Sequence, residues 1–281
     1  GYVIAGYSSS NDGDVSGNHG GDDAWVVKLD SVGNLQWQKS LGGNNNDAAT
    51  AIQQLADGGY IVGCYAISEN NGDVFMSHGA AEFWVVKLSA TGSIEWSLCL
   101  GGQSYEYAHD IHQTADGGFI VGGNTFSVDG NVTGNHGNMD YWVVKIDTIQ
   151  QLEWQKTLGG TGTDLLASLV QTNDGGYIVA GSSASINGDV TDHIGGNDFW
   201  IIKLNSSGLI QWHKILGGSG NEVPYYIQQT SDGGYFVCGY TESNDYDITG
   251  NHGGFFDGWV VKLSSQGDIQ WQKALGGSGW D

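Results

Sequence analysis

"NDGDVSGNHGGDDAW" (residues 11–25) sets Asp, Asn and His among glycines and ends on a tryptophan, a composition that suits a metal loop or a catalytic loop. The same stretch returns as "NNGDVFMSHGAAEFW" (70–84), "VDGNVTGNHGNMDYW" (128–142), "INGDVTDHIGGNDFW" (186–200) and "NDYDITGNHGGFFDGW" (244–259), so whatever it does is done five times. Trp-Val-Val, once Trp-Ile-Ile, opens at Trp25, Trp84, Trp142, Trp200 and Trp259, at spacings of 59, 58, 58 and 59 residues. A second series, Trp37, Trp96, Trp154, Trp212 and Trp271, keeps the same spacings. Ten of the eleven tryptophans are therefore scaffold. A period near 58 is longer than the helical repeats and suits a propeller blade with one long loop.

Within one unit four strand-like segments follow each other: "ATAIQQL" (49–55), "YIVGCYA" (60–66), "FWVVKLS" (83–89) and "IEWSLCL" (94–100), designated A, B, C and D. The A–B junction "ADGG" carries Asp-Gly, a short-hairpin signal, and the C–D junction "SATGS" is a short glycine-containing loop. Helical periodicity is absent. The expectation is an all-β protein, a five-bladed β-propeller with four antiparallel strands per blade and about 58 residues per repeat. It forms one domain over residues 1–281, with units bounded near 1–46, 47–105, 106–163, 164–221 and 222–281. Residue 1 aligns with Gly59 and Trp280-Asp281 with Asn46-Asp47, so one strand A is absent from a whole number of repeats. The chain is expected to be cut from a longer, multidomain one, in which that strand follows Asp281 or precedes residue 1 and pairs with the N-terminal strand B.

Forty-eight glycines, one proline and 39% hydrophobic residues suit short strands and tight turns, and the aromatic residues supply buryable area that disordered chains lack. Thirty-one acids against nine lysines, with no arginine, leave a net charge of −22. Nucleic acid is excluded as a partner, because affinity for phosphate backbones comes from Lys and Arg. No apolar run approaches the length of a membrane helix, so no direct membrane insertion is expected. Cys64, Cys99 and Cys238 align with small residues of the other repeats (Gly6, Ser40 and Ala5) and read as buried thiols.

The "GNLQW" and "GSIEW" that follow the "VVKLD"-type strand resemble blades of quinoprotein-like propellers, in which a strand-D tryptophan docks between neighbouring blades. The whole unit, "DGGYIVAG…GDVxGNHGGxDxWVVKLDxxGxLQWQKxLGG", resembles repeats of large secreted and cell-surface proteins of Bacteroidetes, many exported by the type IX route. The resemblance covers all 281 residues and implies a propeller and an extracellular or cell-surface location. The arginine and adjacent cysteines that quinoprotein dehydrogenases use are missing here, so the quinone does not carry over.

Three acidic series recur. The first is Asp14, Asp73, Asn131, Asp189 and Asp247 in the B–C loop; the second, before strand C, is Asp23, Glu82, Asp140, Asp198 and Asp257; the third, after "LGG", is Asp47, Glu106, Asp164, Glu222 and Asp281. Propeller geometry puts the B–C and D–A connections on one face. A ligand-binding reading takes Asp14, His19, Asp23, Asp73, His78, His136, Asp140, Asp189, His193, Asp198, Asp247, His252 and Asp257, with calcium as candidate cofactor on Asp14, Asp73, Asp189 and Asp247. The opposing reading, favoured here, has each carboxylate accept loop N–H groups or pair with a strand-C or strand-D lysine.

A single site belongs where repeats disagree. Strand A of the second full unit carries His109, Asp110 and His112, a polar cluster unique to that repeat, expected to line a central channel. Alternation along a strand separates His109 from His112 and leaves Asp110 with His112 on one face. No nucleophile elbow, phosphate loop or paired-cysteine motif accompanies them. The expected function is a non-enzymatic binding or display module, holding a glycan or a surface protein through its Gly/Asp/Asn-rich loops. A polysaccharide hydrolase or lyase at the channel mouth, and a pure spacer, are the alternatives.

Overall fold

Two glycine turns recur and fix the strand spacing. At the A–B junction Gly58 sits at φ 83° while Gly59 N donates to Asp57 Oδ1 at 2.9 Å. Gly117, Gly175 and Gly233 take the same left-handed φ, which a β-carbon resists. At the C–D junction Gly33, Gly92, Gly208 and Gly267 do likewise, and the third repeat instead forces Gln150 to φ 63°.

The computed structural model describes residues 1–279, and Trp280 and Asp281 lie outside the described residues. Among these the chain is all-β, with nineteen strands in five sheets of consecutive strands. The first sheet has three, β1 (Tyr2–Ser8), β2 (Asp23–Leu29) and β3 (Leu35–Leu41). Four-stranded sheets follow: β4 (Asp47–Gln54), β5 (Tyr60–Ala66), β6 (Glu82–Leu88) and β7 (Ile94–Leu100); then β8 (Glu106–Gln113), β9 (Phe119–Thr125), β10 (Asp140–Ile146) and β11 (Leu152–Leu158). The last two are β12 (Asp164–Gln171), β13 (Tyr177–Ser183), β14 (Asp198–Leu204) and β15 (Ile210–Leu216), and β16 (Glu222–Gln229), β17 (Tyr235–Thr241), β18 (Asp257–Leu263) and β19 (Ile269–Leu275). Every A strand bulges near its start, between Ala49 and Ala51, Ala108 and Asp110, Leu166 and Ser168, and Pro224 and Tyr226.

Two compact units divide the chain, residues 1–134 with 144–155 and residues 135–143 with 156–281, the boundary passing through the third sheet. In the first unit Val3, Ala5, Ala24 and Val26 of the first sheet pack on Tyr60, Val62, Trp84, Val86 and Leu88 of the second. Trp37 meets Tyr60 edge-on at 5.6 Å, and Trp96 meets Phe119 at 5.7 Å. In the second unit Ile178, Ala180, Phe199 and Ile201 pack on Tyr235, Val237, Trp259 and Val261, and Trp212 meets Tyr235 at 5.7 Å. Within each unit the A strands of successive sheets lie side by side, β4 against β8 and β12 against β16.

Strands β9, β10, β13 and β14 are buried at every residue, because a sheet covered on both faces loses the in–out alternation of a half-exposed one. The two tryptophan series differ. Trp84, Trp142, Trp200 and Trp259 are fully buried. The strand-D series was expected to be buried as well, but Trp37, Trp96, Trp154 and Trp212 are half-buried and Trp271 is 49% exposed. They sit on the last strand of each sheet, at its edge.

Candidate functional site

The B–C loops begin from a fixed turn. In the turns containing Gly13, Gly72, Gly130 and Gly188 the glycine has φ between 60° and 71°, and Tyr246 takes φ 50° in the fifth repeat. Two residues on, an aliphatic side chain turns into the protein: Val74, Val132, Val190 and Ile248 are all at most 1% exposed. The intervening acid of the first series is thereby held against the preceding "LGG" turn. Asp73 N donates to Gly42 O at 2.8 Å, Asp189 N to Gly159 O at 2.9 Å and Asp247 N to Gly217 O at 3.2 Å. In return Gly159 N donates to Asp189 Oδ2 at 3.4 Å and Gly217 N to Asp247 Oδ2 at 3.2 Å. Asn131 makes the same bond, accepting from Gly101 N at 3.1 Å, so an amide oxygen substitutes for a carboxylate there. Asp14 is exposed.

The second series closes the far end of the loop. Asp23, Glu82, Asp140, Asp198 and Asp257 are fully buried. Asp23 Oδ2 accepts His19 N at 3.0 Å and lies 2.7 Å from His19 Nδ1. Asp140 does the same with His136, at 2.9 Å for both atoms, and Asp257 with His252, at 2.8 Å for both. Glu82 accepts the backbone N–H of His78 and of Gly79 and lies 3.1 Å from His78 Nδ1. The slipped spacing of the fourth repeat is absorbed by the backbone: Ile194 N donates to Asp198 at 3.0 Å, and His193 turns its Nε2 to Gly195 O at 2.6 Å. His19 Nε2 also lies 3.9 Å from Asp73 Oδ2, and His136 Nε2 3.9 Å from Asp189 Oδ2, so these histidines link their own loop to the next.

The third series caps strand A. Asp47 accepts Gly43 N at 2.8 Å, Ile67 N at 2.9 Å, Ser68 N at 3.0 Å and Ser68 Oγ at 2.7 Å. Glu106 accepts Gly102 N and Thr125 Oγ1; Asp164 accepts Gly160 N, Ser183 Oγ and Ser185 Oγ; Glu222 accepts Gly218 N and Thr241 Oγ1. The fifth member, Asp281, lies outside the described residues. Second and third series converge on the first glycine of the first four "LGG" turns, Gly42, Gly101, Gly159 and Gly217. A β-carbon on Gly159 would stand 2.5 Å from Asp140 Oδ1 and 2.6 Å from Asp164 Oδ2. Asp23, Asp140, Asp198 and Asp257 each keep one buried oxygen, Oδ1, without a hydrogen-bond partner. Burial holds the carboxyls of Asp47, Glu106, Asp140 and Asp198 above the usual range, against their hydrogen bonds, and the neighbouring Asp164 and Glu222 raise the last two further.

Six of the eight carboxylates expected to bind ligand accept backbone N–H groups, Asp23, Asp140, Asp198 and Asp257 from their own loops and Asp189 and Asp247 from the preceding "LGG" turn. Among the described residues no group of three or more His, Cys, Asp or Glu has the geometry to hold a metal ion. Among the described residues no ion pair joins a lysine to these acids. Lys87, Lys145, Lys203 and Lys262 instead reach the A–B turn aspartates Asp57, Asp116, Asp174 and Asp232 at 2.7–3.0 Å, because a strand-C side chain three residues beyond the tryptophan lies near the opposite end of the sheet. Of the cluster unique to one strand A, Asp110 Oδ1 meets His112 Nε2 at 3.1 Å, whereas His109, the bulge residue, turns to Asn124 Nδ2 at 2.9 Å. The expected separation by strand faces does not hold, because the bulge interrupts the alternation: Asp110 lies opposite Gly122 and His112 opposite Ile120, on the face of Asn124 to which His109 also turns.

Two features escaped sequence reasoning. Ser68, Ser127, Ser185 and Ser243, buried beside the third-series acids, recur with Ser10 at the repeat spacing, a signal that was legible. The loop tips carry large apolar side chains in the open: Phe75 (60% exposed), Met76 (77%), Val128 (72%), Ile186 (73%), Tyr246 (72%) and Phe255 (60%). These differ from repeat to repeat and so left no periodic trace. In the first unit Phe75 and Met76 border a groove of about 380 Å³, shared with His78, Leu98, Asn131 and Leu152.

No family model and no curated protein matches the sequence. Among solved structures the chain is similar to a protein of unknown function from Bacteroides caccae, at 14% identity and a TM-score of 0.48, covering 90% of this chain and 76% of that one. It is also similar to a levansucrase mutant from B. megaterium, at 9% identity and a TM-score of 0.37, covering 92% of this chain and 78% of that one.

Proposed function

We propose that the five sheets are blades of a β-propeller and that the protein is a non-enzymatic binding module, displayed at or outside the cell surface, whose B–C loops hold a glycan or a surface protein. The propeller reading is supported by the side-by-side A strands of successive sheets, β4 with β8 and β12 with β16, which suit sheets fanning from one axis. The binding reading rests on one observation. Each loop has a recurring frame of buried acid, glycine and histidine bonds, and on that frame it presents an exposed tip that changes between repeats. A frame spent on holding loops still, with variable apolar and aromatic tips, is what recognition requires, since rigid tips lose little entropy on binding. Several weak contacts on one surface add through avidity.

Catalysis is poorly served by the same residues. A carboxylate pair acting as acid and base must reach its substrate, and the second-series and third-series acids are fully buried among the described residues. The test is retention on a glycan array and on immobilised surface protein, with calcium and with chelator, for the wild type and for Phe75→Ala with Met76→Ala and Tyr246→Ala. Progressive loss of retention as tips are removed supports the reading. Turnover of a glycoside or polyuronate that one carboxylate change abolishes would replace it with the hydrolase or lyase.

A further inference from the structure

The fourth and fifth sheets pack together in the second unit and part around a pocket of about 410 Å³ at the end away from their B–C loops. Its walls are fastened to one another. Trp212 of β15 is half-buried and meets Tyr235 of β17 edge-on at 5.7 Å. Against the tryptophan lies the C–D turn of the fifth sheet: Gly267 sits at φ 81°, and a β-carbon there would stand 2.8 Å from Cζ3 of Trp212. Lys214 Nζ holds that turn by donating to Asp268 Oδ1 at 2.9 Å. The A–B turn of the fourth sheet is tied to β16, with Asn173 N donating to Gln229 Oε1 at 2.8 Å.

Lys203, 3% exposed, borders the pocket, and its Nζ donates to Asp174 Oδ2 at 2.9 Å, Leu204 O at 3.0 Å and Gln211 Oε1 at 3.1 Å. These acceptors take the three ammonium protons and leave Gln211 its amide N–H groups. In the second and third repeats a glutamate stands at that position, so Lys87 meets Glu95 at 2.9 Å and Lys145 meets Glu153 at 3.3 Å, each in addition to its turn aspartate. Gln211 leaves Lys203 one carboxylate, and the charges of Lys203 and Asp174 cancel. Two more amides in the lining are particular to this place. Asn173 stands where the other repeats have Ala56, Ala115 and Ser231, and Gln266 where they have Val32, Thr91, Ile149 and Ser207. The frame is that of every repeat, and the side chains turned into this pocket are not.

We propose that this pocket is a saccharide site that holds one or two neutral sugar residues, separate from the B–C loops at the other end of the same sheets. Asn173, Gln211 and Gln266 present amide donors and acceptors side by side, which suits ring hydroxyls because each hydroxyl both donates and accepts. Trp212 supplies an apolar wall for the C–H edges of a sugar ring. The volume lies within the roughly 300–1,000 Å³ of small-molecule sites, and a few fixed polar groups on a shaped wall are what orient such ligands. Charge sets the class. The protons of Lys203 are already taken, so a phosphorylated or carboxylated ligand finds no open cation there and loses hydration without return.

The probes are cellobiose, lactose and maltose, each beside the same disaccharide carrying a uronic acid, titrated into the purified protein by calorimetry and followed by saturation-transfer NMR. The expected result is that at least one neutral disaccharide binds, one per chain, and that its uronic-acid counterpart binds about tenfold more weakly. Asn173→Ala combined with Gln266→Ala should weaken the neutral sugar about tenfold while leaving Tm unchanged, since both side chains are exposed. A Phe75→Ala, Met76→Ala protein should bind it as wild type does, which separates this pocket from the loop tips. Absence of binding by all three neutral disaccharides at about 10 mM overturns the proposal. So does equal binding of the uronic acids, or binding that survives the loss of both amides and falls with Phe75 and Met76.

Discussion

Replacing Asp47 by alanine distinguishes a carboxylate that holds a loop from one that holds a ligand. Asp47 is fully buried and accepts four hydrogen bonds, from Gly43 N, Ile67 N, Ser68 N and Ser68 Oγ, at 2.7–3.0 Å. Its removal leaves four donors without an acceptor, at a cost of roughly 1–3 kcal/mol for each that stays dry. Two effects oppose that. Water enters the space vacated, and Asp23, whose carboxyl carbon and Oδ1 lie within 3.2 Å of the same Gly42 β-carbon position as Asp47 Oδ2, loses a neighbouring negative charge. The net expectation is a loss of about 3 kcal/mol, or roughly 6–10 °C in Tm for a chain of this size. Asp47→Asn, which keeps one acceptor oxygen, should lose about half of that. Asp14→Ala, at an exposed position, should stay within about 0.5 kcal/mol of wild type. The assay is thermal and urea unfolding, run in millimolar calcium and in chelator. An Asp47→Ala protein that unfolds like wild type in chelator and differs only when calcium is present would refute the hydrogen-bonding argument and make the carboxylate a cation ligand.

Wild type itself should melt at the same temperature in calcium and in chelator, and a calcium-dependent rise in Tm that Asp73→Asn removes would place a metal in the B–C loops. Stability should pass through a maximum in mildly acidic solution. The carboxyls of Asp47, Glu106, Asp140 and Asp198 are raised by burial, so the folded state binds protons more readily than the unfolded chain and stability grows as pH falls from neutral toward the ordinary carboxylate range. Asp116 and Asp174 are partly buried, yet bonds from Thr114 and Lys145 and from Thr172 and Lys203 outweigh that and pull them down to about 2. Their contribution is present above about pH 4 and lost as pH falls toward 2, so a Tm rising monotonically on acidification would contradict the assignment. Trp84→Ala should cost about 3–5 kcal/mol in urea unfolding, as a fully buried large-to-small change, and Trp271→Ala, half-exposed, under about 1.5 kcal/mol. Alkylation of the native protein should reach Cys238 first, because burial pushes the Cys99 thiol up to about 12 and that of Cys64 higher still; early modification of Cys64 would mean that the second sheet opens.

The repeat carried most of the fold in one dimension. Asp-Gly at each A–B junction and a glycine at four of the five C–D junctions favour short hairpins there, and Trp-Val-Val at intervals of 58–59 residues marks the same strand five times, so strand order and sheet composition followed from local chemistry. The face that His109 takes did not follow, because a bulge interrupts the alternation there and His109 turns to Asn124, on the face that Asp110 and His112 share. The roles of the acids did not, because a carboxylate in a glycine-rich loop has the same sequence signature whether it accepts N–H groups or coordinates an ion. Only the folded chain brings Ser68 Oγ and three backbone N–H groups onto Asp47, sends Lys87 to Asp57 at the far end of its sheet, and sets Asp140 against Asp164 over Gly159. Those partners lie 4 to 30 residues away in sequence and are joined through sheet register. The exposed tips Phe75, Ile186 and Tyr246 were hidden for a different reason: periodicity reports what repeats share, and burial alone separates the shared frame from the side chains that each loop leaves in solvent.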